Sequence, residues 1–255
     1  MTRPLRIGVQ LQPQHADYAQ IRDAVRRAEE LGADVIFNWD HFYPLYGDPD
    51  GKHFEAWTML AAWAEQTTRA EIGCLVTCNS YRNPELLADM ARTVDHISDG
   101  RLVFGIGSGW FEKDYAEYGY DFGTAGGRLD ALGEALPRIE ERWSRLNPLS
   151  TRDIPVLIGG GGERKTLKLV ARHADIWHSF VDVDTLAHKL GVLAGHCEAI
   201  GRDPGEIEVS VGVQDGDLDK AKALRDAGAE LITVGATGPD YDLSALERFI
   251  AWRDA

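Results

Sequence analysis

Apolar positions along this chain follow two rhythms in turn. Short unbroken apolar runs suit strands buried on both faces. Each is followed by a stretch with apolar residues three and four apart, the stripe of an amphipathic helix. Residues 5–11 form the first run. Behind it Ile21, Ala24, Val25, Ala28 and Leu31 share one helical face. Asp17 and Gln20 open that helix as a capping-box pair, and Gly32 stands where a C-terminal cap belongs. The pattern predicts further strands at 35–38, 71–77, 102–106, 155–158, 175–178, 207–213 and 231–234. Helices are expected from about Phe54, from Asn83 with Pro84 at its first position, and over 128–144, 165–172, 185–200, 218–227 and 243–252.

This makes eight strand–helix units in 255 residues. A repeated joint supports the count. "LGADVIF" at Leu31, "RHADIWH" at Arg172 and "AGAELIT" at Ala227 each run from a helix end into a strand. Strands that alternate with helices pair in parallel through right-handed crossovers. Eight such units predict a closed (β/α)8 TIM barrel, with an open doubly wound sheet as the competing arrangement. No linker or low-complexity stretch divides the chain, so one barrel domain over 1–255 is expected. The longest irregular segments, 39–53 and 107–127, both follow strands. They therefore fall at the barrel's C-terminal face, where loops carry function.

Composition narrows the partners. Asp plus Glu outnumber Lys plus Arg by 41 to 27, a formal charge of −14. Nucleic acid and anionic membrane would be repelled, so neither is expected as a partner. No apolar run is long enough to span a bilayer, and "MTRPLRIGVQ" lacks the apolar stretch of a signal peptide. With only Cys74, Cys78 and Cys197 present, a reducing cytoplasm is the expected setting. No His, Cys and carboxylate spacing argues for a metal.

The strand ends hold the candidate chemistry. "NWDHFYP" after the second strand places Asp40 beside His41 among aromatic residues. Histidine exchanges protons near neutral pH, and a carboxylate neighbour can orient it or bind a polar ligand group. The alternative is a histidine that only bonds its own loop. "GIGSGWFEKDY" after the fourth strand lets backbone approach a ligand, although tight packing at the mouth explains its glycines equally well. "IGGGGERKT" runs four glycines into a helix. Free amides and a positive helix end make an anion cradle, to which Arg164 and Lys165 would add charge. A flexible turn is the alternative. The third strand, "IGCLVTCNSYRNP", has small and polar residues where bulky ones are usual, so something packs against its end. Its cysteines read as buried apolar groups rather than nucleophiles. Trp57, Trp63, Trp143 and Trp252 read as packing residues, His178 as a pocket liner, His15 as a weaker one, and Arg128 as half of an ion pair.

Taken together, "VIFNWDHFYP", "CLVTCNSYRNPELLADMARTVDHISDGRLVFGIGSGW" and "PVLIGGGGERKTLKLVARHADIW" resemble the luciferase-like monooxygenase superfamily, most closely its coenzyme F420-dependent oxidoreductase branch. The resemblance runs from Arg6 to about Ser179. It implies a (β/α)8 barrel whose mouth holds a deazaflavin or flavin ring, backed by a bulge with a non-proline cis peptide, here at Cys74–Leu75. It implies that Asp40 bonds the cofactor and that His41 gives or takes the substrate's proton. Thr77, Ser108 and Gly109 would touch the cofactor, and Gly159, Gly160 and Gly161 would cradle its phosphate. The cofactor would carry the hydride, and the protein position and protons.

The pattern also departs from the family. Trp110 stands where the sugar-phosphate dehydrogenases of the family carry an acid, which leaves Glu112 as the candidate second catalytic group and Asp114 as the next acid. Leu45 replaces a tryptophan, and their substrate-phosphate lysines and arginine have no clear counterparts. Sugar-phosphate oxidation is therefore not expected. Only 214–216 separate the seventh strand from its helix, so no long lid lies there. The expectation is a cytoplasmic F420-dependent oxidoreductase acting on a small molecule, a homodimer by resemblance. The alternatives are an FMN-dependent monooxygenase using oxygen and a non-catalytic flavin-binding barrel.

Overall fold

The computed structural model of the protein describes residues 3–255. Its strands form one parallel sheet that closes on itself. The elements run β1 Arg6–Gln12, α1 Tyr18–Leu31, β2 Val35–Asn38, α2 Ala56–Gln66, β3 Glu71–Cys74, β4 Thr77–Cys78, α3 Pro84–Ile97, β5 Leu102–Gly107, α4 Glu112–Tyr118 and α5 Ala125–Trp143. They continue with β6 Val156–Gly159, α6 Thr166–His173, β7 Ile176–Ser179, α7 Val183–Glu198, β8 Glu208–Gly212, α8 Leu218–Asp226, β9 Leu231–Thr237 and α9 Ser244–Arg253. β1 pairs with both β2 and β9, and β3 pairs with β5, so the ring has no free edge. The nine strand segments make eight barrel staves, because β3 and β4 are two halves of one. This is the expected (β/α)8 barrel.

Local signals act as predicted. Asp17 and Gln20 form the capping box of α1, which ends at Gly32 in the left-handed conformation. The Asn83 side chain accepts from the Leu86 amide ahead of Pro84. Ile21, Ala24, Val25 and Ala28 are the buried face of α1. They join a core between strands and helices that also takes Trp57 and Trp63. Inside the barrel a smaller plug of Val35, Phe37, Leu75, Val103, Leu157, Ile176 and Leu231 fills the cylinder. Removing a fully buried member such as Leu157 would cost about 2–5 kcal/mol.

The third stave departs from expectation. It was expected unbroken over 71–77, with the cis peptide at Cys74–Leu75. The cis bond lies one residue later, at Leu75–Val76. Cys74 still pairs in register with Asn38, and the Leu75 amide donates to the Asn38 carbonyl, so regular pairing extends past the predicted bulge. Ile72 pairs with Leu102 and Thr77 with Ile106, so one extra residue is accommodated between the two pairings. Glycines make the room. A Cβ on Gly105 would lie 1.9 Å from the Cys74 carbonyl oxygen. Cβ atoms on Gly107 and Gly159 would lie 2.8 and 2.9 Å from the Val76 methyls. The bulge thus drives Val76 between two neighbouring staves. A second departure is α4, a helix inside the segment expected to be irregular.

Candidate active site

The C-terminal mouth of the barrel opens into a cavity of about 680 Å³. That is the size of an ordinary small-molecule or cofactor site. Two kinds of chemistry face each other across it.

One side is built on the segment after β2. His41 is buried, and its Nδ1 lies 2.8 Å from Asp114 Oδ2. Asp114 is wholly buried on α4 and also accepts from the Tyr81 hydroxyl at 2.9 Å and the Phe42 amide at 3.2 Å. The ring is thereby fixed through Nδ1. Among the described residues no protein group bonds Nε2, and His41 lines the cavity. The edges of Trp39, Trp110 and Phe111 surround the imidazole at centroid distances of 6.0, 5.7 and 5.4 Å. Burial, with Cys78 and Asp114 nearby, holds the Tyr81 phenol protonated well beyond its ordinary range, so it acts as a donor.

Asp40 is also buried, but it is turned toward protein. Its oxygens take Arg82 Nη1 at 2.6 Å and Nη2 at 2.9 Å, and Oδ2 accepts from the Cys78 amide at 3.0 Å. Arg82 reaches on to Glu55 at 2.5 Å, and Glu55 caps α2 by accepting from the Trp57 and Thr58 amides. Burial works against the Arg82 charge, but Asp40 and Glu55 outweigh it and raise its pKa. Asp40 borders the cavity, and its main partners are in the wall.

The other side is the loop after β6. The amides of Gly161, Gly162, Glu163 and Arg164 donate to no protein acceptor among the described residues. Gly160 has φ +120°, a backbone conformation that glycine permits. Lys189 from α7 reaches this loop, its Nζ 2.6 Å from the Gly161 carbonyl and 3.4 Å from Glu163 Oε1, and Arg164 stands exposed on the loop itself. Lys165, expected here, instead pairs with Asp130 at 2.6 Å. Between the two sides, Leu75 and Val76 form part of the wall. Thr77 and His178 also line the cavity and are buried, and among the described residues Thr77 Oγ1 and His178 Nε2 have no partner. Burial lowers the His178 pKa to about 3, so the ring is neutral.

Most of the residues singled out from sequence therefore line one cavity: Asp40, His41, Leu75 and Thr77, then Ser108 and Gly109, then Gly159, Gly160 and Gly161. Two do not. Cys74 lies beneath the wall, its thiol pushed up strongly by burial. Glu112 is exposed on α4 and does not line the cavity, and the acid in contact with His41 is Asp114. Two positions along a helix turn the side chain by about 200°, which separates the exposed Glu112 from the buried Asp114. Burial raises Cys78 to about 11, in keeping with its reading as an apolar group. Gly109 has a packing reason of its own, since a Cβ there would lie 2.0 Å from the Tyr115 hydroxyl. Among the described residues Arg128 forms no ion pair; it donates to the Gly109 and Phe122 carbonyls and lies over the Phe122 ring. His15 bonds the Tyr46 carbonyl at 2.6 Å and pins the loop. Arg82, Tyr81 and Lys189 were missed. They lie far along the chain from the residues they serve, and only the closed barrel joins them.

The luciferase-like monooxygenase profile matches residues 2–215, and the chain belongs to that family. It is 29% identical over 213 residues to an uncharacterised protein of Mycobacterium tuberculosis, covering 71% of this chain and 74% of that one. To the F420-dependent glucose-6-phosphate dehydrogenase of Kineococcus radiotolerans it is 28% identical over 243 residues, covering 87% of this chain and 71% of that one. Among solved structures it shares its fold with an F420-dependent secondary alcohol dehydrogenase in complex with an F420–acetone adduct. The TM-score there is 0.86 at 17% identity, covering 97% of this chain and 98% of that one. It also matches the coenzyme F420-dependent tetrahydromethanopterin reductase of Methanopyrus kandleri, at a TM-score of 0.76 and 16% identity over 97% of this chain and 96% of that one.

Proposed function

We propose that the protein is an F420-dependent oxidoreductase acting on a small molecule. The observation that carries this reading is a single cavity with a braced histidine on one side and, on the other, the glycine loop, whose Gly161 lines the cavity and leads into further free amides at 162–164. The residues fit a phosphate-bearing tricyclic cofactor. The amides of 161–164, with Lys189 behind them, offer donors and positive charge to a phosphate. The Leu75–Val76 wall suits an apolar ring face, and Thr77 Oγ1 and His178 Nε2 are polar atoms without a protein partner beside the same cavity. When bound, F420 supplies the hydride chemistry at its deazaflavin ring.

The chain's own contribution is position and proton transfer. Asp114 accepts from the Nδ1–H of His41, which fixes the tautomer and leaves Nε2 as the proton acceptor for a substrate hydroxyl. When the imidazole takes that proton, Asp114 stabilises the resulting charge. The reverse direction uses the same atoms, with Nε2–H as donor. Trp39, Trp110 and Phe111 exclude water from the ring. Asp40, Arg82 and Glu55 tie the β2 loop to α2 and hold His41 in place. No helix among the described residues is long and apolar enough to cross a membrane. A cytoplasmic homodimer is the assembly that goes with this reading.

Fluorescence titration of the purified protein with F420, and separately with FMN, tests it. Saturable F420 binding with no comparable FMN binding is expected. Binding of FMN alone would move the assignment to an oxygen-using flavoenzyme.

A further inference from the structure

The mouth near His41 has no use for a charged substrate. No lysine or arginine lines the cavity among the described residues, and Asp40 is the one carboxylate that does. Cations of the surrounding segments are committed elsewhere. Arg82 is held by Asp40 and Glu55. Arg128 donates to two carbonyls, and Lys113 to the Pro49 carbonyl and Asp50. Lys189 lies on the glycine loop, where the proposed cofactor phosphate needs it. A second anion in the mouth would lose its hydration and gain no counter-charge, which is strongly unfavourable.

The same mouth is lined by apolar surface. Tyr46, Trp110 and Phe180 are 64%, 62% and 58% exposed, and all three border the cavity. Large aromatic side chains left open around a concave site mark a place for an apolar occupant. Trp110 stands edge-on to the His41 ring, so an occupant against it lies within reach of the imidazole.

We infer that the substrate is an uncharged, largely apolar molecule with one alcohol or carbonyl oxygen, seated against Trp110 and Tyr46 with that oxygen toward His41. This rests on the oxidoreductase reading for its chemistry, but the recognition itself is a property of the side chains at the mouth.

Quenching of tryptophan fluorescence by cyclohexanone and by glucose 6-phosphate is measured on both the cofactor-free and the F420-loaded protein. F420 binding is titrated separately. Cyclohexanone is expected to bind at least about tenfold more tightly than glucose 6-phosphate. Trp110→Ala should weaken cyclohexanone about three- to tenfold. Trp110→Arg should narrow the preference by admitting the phosphate. Trp110 is on the surface, so an unchanged melting temperature shows that both variants remain folded. Glucose 6-phosphate binding as tightly as cyclohexanone, or neither ligand binding in either form, overturns the inference. Cyclohexanone binding without any F420 binding leaves it standing and removes the F420 assignment instead.

Discussion

The two ends of the barrel use the same charged residue types for different purposes. At the N-terminal end Arg6 faces Glu71 and Glu208, Arg152 reaches Glu71 at 2.8 Å, and Arg3 reaches Glu230 at 3.1 Å. These groups mostly neutralise one another at the strand starts. At the mouth, Asp114 and Asp40 are also paired, but each partner set includes a group that borders the cavity. His41 keeps Nε2 free because Asp114 takes Nδ1. At the N-terminal end these carboxylates pair with arginines, and burial raises the pKa of Glu208; at the mouth a buried carboxylate braces a histidine that lines the cavity, and that pairing makes a site.

The largest effect should come from His41→Ala. If Nε2 moves the substrate proton, turnover with a true substrate falls by about 10²–10⁴, while F420 affinity and melting temperature change little. An unchanged rate would reduce the dyad to a loop brace. The second effect is on stability against pH. His178 and His53 are held at about 3 and about 4 by burial, below the ordinary value of 6.5. The unfolded chain therefore binds the extra protons first, and stability present above about pH 6.5 is lost as pH falls toward those values. Each histidine contributes a slope of up to about 1.4 kcal/mol per pH unit. Denaturant melts between pH 7 and 5 should show a shallower loss in His178→Asn than in the native protein; equal slopes would contradict the burial argument.

At the other end of the barrel, Arg6→Met should lower stability by about 1–3 kcal/mol, since it leaves Glu71 and Glu208 with fewer partners. Turnover per folded molecule should stay the same, and a kinetic defect would blur the distinction between the two ends. Gly161→Val tests the phosphate loop. A Cβ there would lie 3.2 Å from Lys189 Cε and 3.3 Å from Ser179 Oγ, and the position needs no unusual backbone angle. F420 should bind about tenfold more weakly with the fold intact. Gly160 is the poorer probe, because its φ of +120° would strain any side chain. The smallest effect belongs to Glu112→Gln, which should leave turnover within about twofold, as expected of an exposed surface group; a larger loss would return Glu112 to the site.

Periodicity was enough to read the barrel, because each strand and helix must bury its own face locally. It also put His41 and the glycine loop at strand ends, where both line the cavity. The family resemblance placed the cis peptide one residue early, because the shift depends on how β5 and β6 receive Val76, which no local pattern encodes. Glu112 stands out in the sequence as the nearest acid after Trp110; on α4 it falls on the exposed face and Asp114 on the buried one, a distinction that needs the helix. Arg82 and Lys189 follow other elements altogether, and only closure of the cylinder brings them to the residues they serve.

The most direct test of the central claim is a crystal structure with F420 bound. The phosphate should accept from the amides of 161–164, and the deazaflavin ring should lie against Leu75–Val76 with its reactive edge toward His41. F420 bound elsewhere, or its phosphate remote from that loop, would contradict the account.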